Sequence, residues 1–376
     1  MTAPILSSLM QRAPRRHLRR HRMRQVGFSL IELMIALGLG LFLTGAIVSV
    51  YLVQSRMVKS STSQAGLQNA ENAIAALITP VVRSAGFNGC STLSQAVSNL
   101  VAGGPPPLGT LGTGARFLVG YEASNTGVGN TLTVPTNAAN SGVASNWTTA
   151  LDSTLVTAGV QAGSDVLVLL GAAPNTAPVG VVSIPATSPT FTVQDATGLA
   201  AGQFGIVSDC LKSSVFKITG VAGTAVTHAA GTAITDNASA TLALTYPAGS
   251  QFVPLQQTAF FVAQGNGGQS ILMRATYAGS TWSAQQLVPG VETLQILYGV
   301  GSNGIVNKYV PASAGLDWST VYAVRLGFLL QGQIGSGGPV GSGSQSFDVL
   351  GTTVQVPTDG RLRHVFEMTV NLRNAS

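Results

Sequence analysis

Between Phe28 and Val53 the chain carries 26 consecutive residues, FSLIELMIALGLGLFLTGAIVSVYLV, with one charge among them, Glu32. About 20 apolar residues in a helix cross the hydrocarbon core of a bilayer, so this run is long enough to span one. Residues 1–27 hold seven arginines (Arg12, Arg15, Arg16, Arg19, Arg20, Arg22 and Arg24) and no acid. The other 349 residues hold 12 Lys/Arg against 13 Asp/Glu, so the net charge of +6 belongs to the N-terminus. Basic residues before the run and none inside it place its N-terminus in the cytoplasm and the remainder outside. The body of the chain has no dense basic run of the kind a nucleic-acid stripe requires.

The run is too long for the apolar region of an ordinary secretory signal, and polar helix-like sequence follows it directly. A plain signal anchor is the simplest alternative. Against it stands Glu32, because ionisable groups inside a membrane segment are costly and usually have a partner or a task. The string Gly27-Phe28-Ser29-Leu30-Ile31-Glu32-Leu33 resembles the class III signal of type IV prepilins and pseudopilins, G-F-[ST]-L-[IV]-E-[LVM]. The resemblance implies cleavage by a prepilin peptidase between Gly27 and Phe28, N-methylation of Phe28, and an assembly role for Glu32. A buried carboxylate needs a countercharge, which in that family a neighbouring subunit's N-terminal amine supplies. Two features depart from the family: the apolar half has no proline, leaving Gly38, Gly40 and Gly45 for close packing or local melting, and the leader is long. Met1, Met10 and Met23 are all candidate starts.

Beyond Val53, Leu67, Ala70, Ile74, Leu77, Ile78 and Val81 recur at three and four residues, marking one face of a continuing helix. Pro80 is expected to kink or loosen it, and Gly86 to end it. The expected organisation is a leader (1–27), a membrane and assembly half-helix (28–53), an amphipathic half-helix (54–86) and a β-rich head (87–376). Short β-type runs fill that head: Arg116–Tyr121, Thr131–Val134, Asp165–Leu170, Thr190–Val193, Gly205–Ser208 and Val215–Gly220, then Ala259–Ala263, Ser270–Tyr277, Thr293–Tyr298, Val321–Leu330 and His364–Leu372. Two Gly-rich stretches, Gly103–Gly114 and Gly332–Ser344, read as loops or linkers. The fold class is α+β, a pilin-like plan with a long N-terminal helix on an antiparallel sheet and an enlarged head.

Several blocks of the head resemble the PilW family of minor pilins: RSAGFNGC (Arg83–Cys90), VSDCLKSSVFKITG (Val207–Gly220), PGVETLQILYGV (Pro289–Val300), KYVPASAGLDWSTVYAVRLGFLL (Lys308–Leu330) and HVFEMTVNLRN (His364–Asn374). Cys90 and Cys210, both downstream of the apolar run, form one disulfide or remain two buried thiols. Export favours the disulfide, and the resemblance places both in matching blocks. The loop Gly301–Asn307 has no carboxylate where the family often has an acidic loop, so no calcium is expected there. Neither G-x-S-x-G nor a P-loop is present, and histidine is scarce outside the leader, so no catalytic residues, metal or cofactor are expected. Arg325 reads as a strand residue with a carboxylate or backbone partner, and Trp318 as core.

The resemblance implies a non-enzymatic subunit, inserted in the inner membrane with its head in the periplasm and later carried on the pilus fibre. Its partners would be other minor pilins, the major pilin, prepilin peptidase, the inner-membrane assembly machinery and a tip adhesin. It would prime pilus assembly at the tip and so serve twitching motility, attachment or DNA uptake. Two alternatives are a minor pseudopilin of a type II secretion system and a tip adhesin or DNA receptor.

Overall fold

The computed structural model describes residues 27–87, 97–103, 117–134, 142–174, 176–185, 187–242, 244–265, 269–278 and 281–373. Helix α1 runs for 55 residues, Leu30–Ser84. Ser29 starts it: its Oγ accepts the Glu32 main-chain N–H at 3.2 Å and its carbonyl accepts the Leu33 N–H at 3.1 Å. Ser29 thus caps the helix, and Glu32 sits in the first turn, where the helix dipole favours a carboxylate. The helix ends at Gly86, whose φ of 76° is the left-handed conformation that glycine enters freely. The Gly86 N–H then bonds the Leu170 carbonyl at 3.1 Å.

Pro80, expected to kink or loosen the helix, lies inside α1, which continues through it to Ser84. Proline costs a hydrogen bond there. Ile74 and Ile78 before it and Val82 after it are all fully buried, and their packing keeps the turns on either side on one surface.

The chain divides into two compact units, residues 1–55 and 56–376. In the second unit the strands are Val97–Asn99 (β1), Leu118–Tyr121 (β2) and Thr131–Thr133 (β3). After a one-turn helix, Ser153–Val156 (α2), come Val166–Ala172 (β4), Val179–Ser183 (β5), Thr190–Val193 (β6), Phe204–Ser208 (β7), Ser213–Lys217 (β8), Gly220–Ala222 (β9) and Ala225–Thr227 (β10). Longer strands follow: Gln251–Gln264 (β11), Ser270–Ala278 (β12), Thr281–Pro289 (β13) and Val291–Ser302 (β14). The last are Ile305–Val310 (β15), Val321–Gln331 (β16), Val340–Val349 (β17), Thr352–Asp359 (β18) and Arg363–Asn371 (β19).

One sheet is four-stranded and antiparallel, in the order β15-β14-β16-β19. Alternation along β14 and β16 sends Leu294, Ile296, Tyr298, Val324, Leu326, Phe328 and Leu330 to one face. There they meet Leu67, Ile74, Ile78 and Val82 of α1. The opposite face of β16 buries Leu329 against Val349, Val354 and Val356 of a three-stranded sheet, β17-β18-β3.

The largest sheet is organised around β11, which pairs antiparallel with β4, β5, β7 and β12. Both of its faces are covered. Leu167, Leu169, Phe260 and Val262 join the core that α1 enters, while Val168, Leu170, Ala259 and Phe261 face a second core with Trp147 and Leu155. This explains the nearly unbroken apolar runs in β4 and β11. A third core, around Phe191, Phe216 and Phe252, lies under β5 to β10.

Every β-type run expected from sequence contains or overlaps one of these strands. One reading of a loop needs correction: Val340–Ser344, expected within an exposed loop or linker, belongs to β17. These residues are exposed and Gly/Ser-rich, and it is pairing with β18 that makes them a strand. Residues 104–114 of the other Gly-rich stretch lie outside the described residues.

Candidate functional site

In the first unit, every residue from Gly27 to Gln54 is exposed, and an 18-residue window of the helix reaches a mean hydropathy of 2.3. By length and composition this helix can cross a membrane. Two of its hydroxyl side chains are satisfied internally, as a lipid environment favours: the Thr44 hydroxyl donates to the Gly40 carbonyl, and Ser49 Oγ to the Ala46 carbonyl at 2.8 Å. A Cβ added at Gly38, Gly40 or Gly45 would meet nothing within 4 Å, so nothing among the described residues requires glycine there. Phe28 is 81% exposed next to Gly27, and Glu32 lies one turn further on. The leader residues before Gly27 lie outside the described residues.

In the second unit, α1 and the last strand approach through His364 Nδ1 and Glu71 Oε1, 2.6 Å apart. Arg325 finds a carboxylate partner, Glu367, at 2.8 Å across β16 and β19. Trp318 packs edge-on against Tyr298 at the margin of the α1 core. Cys210 has a φ of 71° in the connection between β7 and β8, and Cys90 lies outside the described residues. The loop after β14 is a two-residue hairpin, Asn303 (φ 52°) and Gly304 (φ 76°), the backbone of a type I′ turn.

Two buried charge clusters hold the head together, and sequence reasoning passed over both. In the first, Arg363 is clamped by two carboxylates. Its Nε and Nη2 donate to Glu292 at 2.8 and 2.9 Å, and its Nη1 and Nη2 to Asp359 at 2.8 and 3.0 Å. A remaining Nη1 proton reaches the Pro357 carbonyl at 3.2 Å, so all five guanidinium donors are used. Burial opposes the Arg363 charge, but Glu292 and Asp359 outweigh it and hold the group protonated. Burial also raises Glu292 above the usual carboxylate range in spite of its partner. The cluster joins β14, β18 and β19.

In the second cluster, Asp165, just before β4, is fully buried. Its Oδ1 accepts the Ala123 N–H and its Oδ2 the Ile296 N–H, both at 2.8 Å. Glu122 lies beside Asp165, Thr126 and the Ala312 main chain, whose hydrogen-bonding groups partly offset the effect of burial on its carboxyl. Ser164 Oγ accepts the Leu294 N–H at 3.0 Å, and the Asp165 N–H reaches the Leu294 carbonyl at 2.8 Å. The segment Ser164–Asp165 therefore stitches β14 of the four-stranded sheet to β4 of the large sheet. Nearby, the Tyr298 hydroxyl is buried without a partner and leaves no room for a Cβ at Gly120. The only sequence hint of this cluster is an acid flanking each of two apolar strands, in VGYE and SDVLVLL.

The acid pair gives a pH dependence of defined sign. Burial, the largest effect, raises Glu122 to about 7. Asp165 is raised by burial and then by the charge of Glu122. Between the ordinary carboxylate range and pH 7 the folded protein therefore binds more protons at this pair than the unfolded chain. The pair's contribution is fully present below the unfolded value and falls as pH rises toward 7, by on the order of 2–3 kcal/mol. His228 works the other way: burial among Phe191 and Phe216 lowers its pKa, so it costs stability as pH falls below its unfolded value. Denaturant unfolding of the full chain in detergent, from pH 5 to 7.5, separates the two through Glu122→Gln. The wild type should lose stability relative to the variant as pH rises. Parallel profiles would remove Glu122 as the titrating group.

Residues 259–374, from within β11 to the end of β19, match the family model of Type IV Pilus-assembly protein W. The matched region contains the Glu292–Arg363–Asp359 cluster and the whole four-stranded sheet that receives α1. The likeness to that family is of this C-terminal region, and it supports a link of the chain to type IV pilus assembly. No curated protein and no solved structure matches the chain.

Proposed function

We propose that this chain is a minor pilin, cut between Gly27 and Phe28, methylated on Phe28, and joined with other pilins in a complex that primes the pilus and sits at its tip. The observation that carries the reading is the conjunction of two distant features. One is a G-F-S-L-I-E-L string at the start of a 55-residue helix whose first part is apolar and wholly exposed. The other is a C-terminal region matching a pilus-assembly family. A helix exposed all round on apolar residues has to be covered by lipid or by other helices. A membrane-inserted precursor that later enters a filament meets both needs in turn. Gly38, Gly40 and Gly45, which nothing among the described residues requires, would let neighbouring helices approach closely. The head is the part that would contact other minor pilins, the major pilin or a tip adhesin, and no catalytic turnover is assigned to it. In the periplasm Cys90 and Cys210 would be joined as one disulfide.

The test is intact mass and N-terminal sequencing of the protein from membranes and from sheared pili. The expected species begins at Phe28, carries one added methyl group, lacks two hydrogens for the Cys90–Cys210 bond, and occurs in the sheared fraction. A chain left uncut in the membrane beside an active prepilin peptidase would make it an anchored periplasmic domain and not a pilin.

A further inference from the structure

Along one edge of β11 the partner strand changes. β7 pairs with Gln251–Leu255, and β12 takes over from Thr258 to Gln264. The two intervening residues, Gln256 and Gln257, have no register partner on that edge, although β4 still pairs with them on the other. The carbonyls of Pro254 and Val262 both bond on the β4 side, to the N–H groups of Ala173 and Gln161. By the two-residue period of a strand, the main-chain groups of Gln257 therefore face that edge: its carbonyl closes the Thr258–Thr276 pairing by accepting the Tyr277 N–H, and its N–H faces the gap.

A cavity of about 430 Å³ elsewhere in the head lies between α1 and the ends of β14 and β16 and is mainly apolar. The gap in the β11 edge opens a different one, of about 280 Å³, lined by Gln203, Phe204, Leu255, Gln256, Gln257 and Tyr277 together with small residues. This is near the lower limit of ligand pockets. None of its lining residues is charged. Gln257 is 1% exposed, and its Nε2 has no hydrogen-bond partner among the described residues. Buried amides are almost always paired, so a lone donor beside a cavity calls for an acceptor. Tyr277 brings an aromatic ring, braced edge-on by Trp282 with centroids 5.4 Å apart. Burial raises the Tyr277 pKa and keeps its hydroxyl a donor.

We propose that this gap is a binding site for a single neutral sugar residue. Amide groups, a main-chain donor and a phenol are partners that ring hydroxyls use, while an aromatic ring offers a surface for the apolar face of a pyranose. An anionic or cationic ligand would find no countercharge among the lining residues. The proposal does not rest on processing at Gly27, since it concerns the folded head alone.

The test uses the full chain in a zwitterionic detergent without a sugar headgroup. Saturation-transfer NMR is run with glucose, galactose and N-acetylglucosamine, each at millimolar concentration. At least one should receive saturation from the protein. Gln257→Leu should weaken that sugar about fivefold to tenfold, as the loss of one uncharged hydrogen bond does. The same variant keeps the side chain's size and removes the lone amide, so its unfolding midpoint should be no lower than wild type, which separates lost binding from lost folding. Tyr277→Phe should weaken binding while leaving the ring in place. Absence of transfer to all three sugars, or equal binding by wild type and Gln257→Leu, would overturn the proposal.

Discussion

Replacing Arg363 by methionine should destabilise the head by about 3–5 kcal/mol, because it leaves Glu292 buried and ionisable with no partner. The side chains of Arg363 and Glu292 are only 1% and 6% exposed, so water cannot replace the lost bonds. Asp359 is 29% exposed and can be rehydrated, which makes Glu292 the principal source of the loss. The prediction has a second arm. A well-packed apolar pair is often as stable as a buried ion pair, so Glu292→Met with Arg363→Met should recover most of the loss. Arg363→Lys should recover little, since an ammonium cannot reproduce the fork that engages two carboxylates and a carbonyl. Denaturant midpoints of the four proteins, each as the full chain in the same detergent, decide the matter. A double variant as unstable as Arg363→Met would show that the cluster contributes packing and not charge pairing.

This cluster also shows where sequence reading stops. Glu292 stands in PGVETLQ and Arg363 in GRLRHVF, 71 positions apart, and neither segment has a local pattern that marks its charge as internal. Only the β14-β16-β19 order brings the two side chains within reach. Asp165 and Glu122 are hidden for the same reason, their partners being main-chain groups of strands more than 100 residues downstream or an adjoining loop. The helix was legible because its signals are local. Ser29 and Glu32 start it, an apolar run and then a three-four spacing carry it, and Gly86 stops it. Pro80 costs the helix a hydrogen bond, and burial of Ile74, Ile78 and Val82 favours the turns on either side of it. β17 was missed because Val340–Ser344 has no propensity of its own, whereas Asn303-Gly304 was a hairpin signal that could have been read.

The gap beside Gln257 was beyond sequence altogether. Both flanking strands, β7 and β12, coincide closely with apolar runs found by pattern. That they meet the same edge of β11 and leave two residues between them is a fact of pairing, which side-chain alternation does not encode. The family match covers β12 and the last six residues of β11, from Ala259, but neither Gln256, Gln257 nor β7. A site formed by their junction therefore combines matched and unmatched parts of the chain.

Glu32→Ala should remove the protein from sheared pili while leaving it in the membrane and still cut after Gly27. In the proposed filament the Glu32 carboxylate would meet a neighbour's N-terminal amine away from water. Deleting one member of such a pair strands the other, a penalty of about 3–5 kcal/mol that corresponds to a loss of incorporation of about a hundredfold or more. The helix start should survive the change. Ser29 Oγ accepts the main-chain N–H of residue 32, and that bond does not involve the Glu32 side chain. Loss from the pilus would therefore report assembly and not unfolding. Glu32→Asp keeps the charge on a shorter arm and should retain part of the incorporation. Glu32→Gln keeps the size without the charge and should behave like alanine if pairing is what matters. Equal amounts of wild type and Glu32→Ala in sheared pili would show that the carboxylate has no part in assembly, leaving only its place in the first turn of α1 to account for it.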